Sequence, residues 1–190
     1  LSETYDYLSE KETKYIVEID QISKIVFSEN GNYLAISKSW RSLSGEDEQS
    51  KMISIYDMKN GEIVQKFGTK SVLDLCFIDE DAVASVEHSS SLSPYYNGWE
   101  MQESIYSLKD GKSLWQSQKT RITDTIAVDN PAAFCKYISK VNTDTNGEKA
   151  EVVGFSCEGN LTLVRKGDWD ILFQKDFEYD IVEIQKIDDN

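Results

Sequence analysis

Ile53-Ser-Ile-Tyr-Asp-Met-Lys-Asn-Gly61-Glu-Ile-Val64 is followed, fifty residues on, by Ser104-Ile-Tyr-Ser-Leu-Lys-Asp-Gly111-Lys-Ser-Leu-Trp115. Ile55 and Tyr56 map onto Ile105 and Tyr106, and Gly61 onto Gly111, without a gap. The same offset carries Val26-Phe27 onto Cys76-Phe77. Each stretch is an apolar β-type run, a glycine turn and a second apolar run. The repeated unit is therefore built of strands.

Working outward, each unit divides into four strands. The first unit gives Ser23–Phe27, the turn Ser28-Glu-Asn-Gly31, then Tyr33–Ser37, Met52–Tyr56 and Glu62–Phe67. Asn30-Gly31 and Asn60-Gly61 are dipeptides that accept positive φ at both central positions of a tight hairpin. The second unit runs Val72–Phe77, Ala82–Val86, Glu103–Tyr106 and Ser113–Trp115, its first turn, Asp79-Glu-Asp81, lacking the glycine. A more diverged third unit reads as Ala133–Ile138, Glu151–Phe155, Asn160–Val164 and Trp169–Phe173, with turns at Gly159-Asn160 and Gly167-Asp168. No segment keeps a 3.6-residue period over eleven or more residues, so no helix is expected. The sequence thus implies an all-β fold of four-stranded antiparallel units about 50 residues long.

Phe27-Ser-Glu-Asn-Gly31-Asn-Tyr-Leu-Ala35 and the two strand–glycine–strand segments resemble the repeat of WD-like β-propellers. Asp110-Gly-Lys-Ser-Leu-Trp115 is similar to the repeat ending of quinoprotein-like propellers. The resemblance implies blades at 21–70, 71–120 and 121–178. It also implies the last strand of a preceding blade at 14–20 and the first strand of a following one at 179–190. Three blades are fewer than the four to eight of closed propellers. Either the flanking strands pair into a small fourth blade, or the remaining blades lie outside this chain; the second arrangement is the one expected.

The chain has 190 residues and a net charge of −14, with 39 % hydrophobic and 28 % charged residues. This composition suits a globular domain, and no apolar run is long enough to span a bilayer. So acidic a surface repels phosphate backbones and anionic lipid, which argues against nucleic-acid partners and direct membrane-surface binding. The start, Leu1-Ser-Glu-Thr-Tyr-Asp6, has neither a basic region nor an initiator Met and reads as processed or trimmed. Cys76, Cys135 and Cys157 are too widely spaced for a zinc knuckle or a redox pair. Their apolar neighbours make them buried thiols, the alternative being one disulfide with a thiol left over.

Catalytic and cofactor chemistry finds little to build on. His88 is the sole histidine, which rules out a polyhistidine metal site within the chain, and its serine-rich surroundings read as a surface loop. Neither a Gly-x-Ser-x-Gly elbow nor a phosphate-binding glycine loop occurs. Asp144-Thr-Asn-Gly-Glu148 alternates oxygen ligands but lacks the spacing of an EF-hand, and reads as a polar hairpin turn. The sequon Asn160-Leu-Thr162 falls inside an expected strand. No cofactor or metal is therefore expected.

Two inserts stand out, 39–50 and 89–99, each joining the second and third strands of its unit. They carry Trp40, Arg41, Tyr95, Tyr96 and Trp99. Aromatic and arginine side chains on loops of a rigid scaffold are typical binding hot spots; alternatively these aromatics fold back between blades. The function expected is a non-catalytic interaction module for a protein partner. One alternative is an extracellular glycan- or peptide-binding domain of a membrane-associated protein, compatible with 17 Lys against three Arg. A section of a quinoprotein-like enzyme is another. The expected location is outside the cytoplasm.

Overall fold

The computed structural model describes residues 22–38, 51–68, 70–93, 96–118, 120–122, 133–143, 148–157, 159–179 and 181. They are all-β, in three antiparallel sheets. The first sheet has the order β1 (Ile22–Phe27), β2 (Tyr33–Lys38), β3 (Ile53–Asp57), β4 (Ile63–Phe67). The middle sheet has β5 (Ser71–Phe77), β6 (Ala82–Ser93), β7 (Tyr96–Ser107) and β8 (Ser113–Gln116), with β9 (Thr120–Ile122) also on β7. The third has β10 (Ala133–Thr143), β11 (Glu148–Cys157), β12 (Asn160–Arg165) and β13 (Ile171–Asp176). The twelve strands read in the three units are all present, and no helix occurs among the described residues; the flanking strands expected at 14–20 and 179–190 lie outside the described residues, 179 and 181 apart.

The sheets share more than strand order. Ile55 faces Gln65 and Tyr56 faces Ile63, with a bulge between the pairs. Ile105–Trp115 with Tyr106–Ser113, and Leu163–Phe173 with Val164–Ile171, repeat that register and that bulge. The turn before each last strand is also shared. Gly61 N–H donates to Asp57 O at 2.8 Å and Gly111 N–H to Ser107 O at 2.9 Å, with φ of 73° and 67°. In the third sheet Trp169 occupies this place, at φ 63°, donating to Arg165 O at 3.0 Å. A bulky residue there costs about 1–2 kcal/mol of backbone strain, which the packing of its indole against the core between the middle and third sheets offsets.

Three expectations are corrected. Positive φ is confined to the glycine in the Asn30-Gly31 and Asn60-Gly61 turns, and each connection spans five residues, not two. Ser28 and the side chain of Asn30 close the first one by accepting from Gly31, Tyr33 and Asn32 N–H groups. Second, most of 89–99 is not a loop: β6 and β7 pair continuously from Ala82–Ser107 to Ser93–Tyr96. The unforeseen β9 pairs Trp99, Glu100 and Met101 with Ile122, Arg121 and Thr120. That third strand supports an extension which a lone hairpin would hold only marginally. Finally, β9 carries the middle sheet past residue 120.

Alternation along the strands decides the stacking. On β6, Val83, Ser85 and Glu87 share one face, and Ala82, Ala84 and Val86 the other; all six are buried. Only a sheet covered on both sides gives that pattern. Toward the first sheet, Val72, Leu75, Val83 and Tyr106 meet Ala35, Ile53, Ile55 and Phe67. The Phe67 and Tyr106 rings stack at 4.8 Å. Toward the third, Ala84, Val86 and Ile105 meet Val153, Phe155 and Val164, and Trp115 stacks on Phe155 at 5.4 Å. Each such Val, Ile or Phe stabilises the fold by about 1.5–3 kcal/mol on burial.

Asp74 on β5 joins all three sheets. One carboxylate oxygen pairs with Lys24 Nζ of β1 at 2.6 Å, and the other accepts Cys135 N–H of β10 at 2.8 Å. Asp74 is only 7 % exposed, whereas the Lys24 side chain is 45 % exposed. The Asp74 carboxylate holds the Lys24 ammonium above its usual range, with partial burial opposing. Removing the acceptor leaves a buried amide without its partner, so Asp74→Ala is expected to cost about 2–4 kcal/mol in urea unfolding. Lys24→Met should cost less, because it takes the cation from one carboxylate oxygen but leaves the Cys135 amide bonded to the other. Equal losses in the two variants would contradict this division.

Candidate functional site

Of the residues expected to meet a partner, Trp40, Arg41 and Tyr95 lie outside the described residues. Tyr96 and Trp99 are placed by the backbone on β7, Tyr96 opposite Ser93 and Trp99 between Ser90 and Ile122. They occupy the far end of the β6–β7 hairpin, away from the turns that carry Gly111 and Asp79. The polar segment 144–147 also lies outside the described residues.

His88 belongs to β6, not to a loop. Its register partners are Ser71 and Met101, and partial burial holds its imidazole below the usual range. The cysteines are all free thiols, Cys135 and Cys157 buried and Cys76 half-buried. Burial, then the adjacent Cys76 thiol, pushes the Cys135 thiol well above its usual range. It donates to Ala84 O at 3.5 Å and behaves as packing.

A cleft of about 550 Å³ opens where β1 and β5 run into their turns. Phe27 and Phe77, equivalent in the repeat, line it with Cys76 and Ile78, while Glu29 and Glu80 supply carboxylates and Lys136 a cation. Asn32 Nδ2 donates to Glu80 Oε2 at 3.4 Å and joins the two turns. Asp79, on the cleft wall, pairs with Lys166 Nζ at 2.6 Å, which also reaches Glu151 at 3.0 Å. Apolar walls with carboxylates suit an amphipathic side chain of a partner.

The sequence reading missed a buried polar row on the middle sheet. Glu87 Oε1 accepts from Ser85 Oγ and from Tyr106 Oη, both at 2.7 Å. Lys70 bonds Gln102, whose Nε2 donates to Ser117 O at 2.9 Å. Burial pushes the Glu87 carboxyl up, against the donors Ser85 and Tyr106. Burial and then the Glu87 charge push the Tyr106 phenol up too. Glu103 is likewise raised by burial, its backbone N–H held by Ser117 Oγ at 3.0 Å. Glu87 and Tyr106 face the first sheet and are not part of the cleft wall, whereas Glu103, paired with Val86, is on the opposite face. Glu87 and Tyr106 help to fix how the first and middle sheets meet. The signal was available: alternation from Val83 places Ser85 and Glu87 on one buried face. Among the described residues no group of three or more His, Cys, Asp or Glu is arranged to hold a metal ion.

The raised Glu87 value fixes the sign of a pH effect. The unfolded chain ionises this carboxyl near 4.5 while the folded chain keeps its proton longer. Stability is therefore fullest below 4.5 and declines as pH climbs through the raised folded value, by at most about 1.4 kcal/mol per pH unit for one proton. Glu87→Gln should match the parent near pH 4 and lose less stability toward pH 7 in urea titrations. An unchanged slope would show that Glu87 ionises in place. No known protein-family model matches the chain, and no curated protein matches it.

Proposed function

We propose that the three sheets are consecutive blades of a WD-like or quinoprotein-like β-propeller, and that the chain is a non-catalytic module for a protein partner. The observation that supports this best is the shared plan of the sheets. Each contains a four-stranded meander with its bulge in the same place, and each is laid face to face on its neighbour in the chain. First strands also meet: β5 touches both β1 and β10. A rigid stack of this kind leaves hairpin ends and turns as its variable, partner-facing parts.

The contact surface in this reading is the far end of the β6–β7 hairpin with Tyr96 and Trp99; Trp40, Arg41 and Tyr95, outside the described residues, are assigned to the same function from the sequence alone. Trp40→Ala and Trp99→Ala are expected to weaken capture of the partner at least about tenfold, the loss of one hot spot, with the thermal midpoint unchanged. Undiminished capture would refute this surface, and unfolding of both variants would make the indoles core. Sugar-dependent quenching of tryptophan fluorescence would replace the protein partner with a glycan.

A further inference from the structure

The register makes residues of the three sheets equivalent one by one. Phe27 opposes Leu34, and Leu34 opposes Tyr56; Phe77 opposes Val83, and Val83 opposes Tyr106. In the middle sheet this face, with Leu75 beside it, is covered by the first sheet, and Leu75 is 2 % exposed. In the first sheet the same face is open. Ile25, the counterpart of Leu75, is 54 % exposed, and Phe27 is 57 % exposed.

The opposite face repeats the logic from the other end. Ile55 and Ile105 are fully buried against the sheet that follows. Their counterpart Leu163 is only partly buried, and its neighbour Phe173, the counterpart of Trp115, is 42 % exposed. Stacking is thus head to tail: one kind of face always receives the other kind. Among the described residues one open face of each kind is left, and these are complementary, not alike.

We propose that the open faces are filled by a second copy of this chain. The third sheet of each copy seats on the first sheet of the other, continuing the packing seen twice within the molecule. Two copies bring six of the described sheets, inside the four-to-eight range in which propellers close, and closure at two copies would cover both of these faces. A heterologous contact that did not close would grow into a filament. The closure at two copies rests on the blade reading; the complementarity of the faces does not.

Sedimentation equilibrium over a hundredfold concentration range tests this with the chain as it is. The expected mass is 43.4 kDa, twice 21.7 kDa. Phe27→Glu and Phe173→Glu each place a charge on an exposed position, and each should leave a folded 21.7 kDa monomer with unchanged near-ultraviolet circular dichroism. Mixing the two variants should restore a 43.4 kDa species, because one intact pair of faces remains. A wild-type monomer throughout the range overturns the proposal and leaves the blade reading standing. A dimer broken by Phe27→Glu but not by Phe173→Glu overturns both, since like faces would then meet. Species beyond two copies overturn the closure.

Discussion

The Asp74 carboxylate has one oxygen on Lys24 Nζ and the other on the Cys135 amide. Three first strands from three sheets converge on this one side chain, and everything outward of it inherits their placement. A carboxylate so buried is costly unless its lone pairs are used; an ammonium and a backbone amide use them. The pairing is also directional. A slip of one residue in β5 would turn Asp74 to the opposite face and Leu75 toward the wrong sheet. Polar registration and apolar stacking therefore select the same alignment.

Away from that point the sheets hold together by area. Phe67 on Tyr106 and Trp115 on Phe155 are ring contacts across successive interfaces. Small residues at Ala35 and Ala84 admit the neighbouring sheet closely, and Gly154 stands at the matching register of the third sheet. The Glu87–Tyr106–Ser85 row lies at the edge of the first interface, with its hydrogen bonds made inside the protein. Satisfied polar rows of this kind fix which way two apolar faces meet.

The strands and the first two units were legible because Gly61 and Gly111 stand where the backbone demands a left-handed residue. The third unit was blurred for the same reason, since Trp169 holds that conformation with packing in place of glycine. The turn at Asp79 also escaped the pattern: its carboxylate accepts from the Asp81 and Ala82 amides, doing with a side chain what Gly31 does with backbone freedom. The long β6–β7 hairpin was hidden by serines, which read as loop until β9 is known to pair with the far side of β7. The partners of Asp74 and Glu87 were beyond the sequence because alternation assigns a residue to a face but does not say what stands across from it.

The order in which the chain leaves the ribosome gives the meander a further meaning. Strand partners are adjacent in sequence, so each sheet can form as soon as its fourth strand emerges, from contacts that close only short loops. Asp74 is the exception, since Cys135 follows it by 61 residues. While the nascent chain ends before β10, Asp74 has Lys24 alone, and the face bearing Ala84, Val86 and Ile105 has no cover. The first and middle sheets then form a half with a second adhesive side, besides the open face of the first sheet. The interval between β9 and β10 is the time during which that side must be shielded or quickly covered.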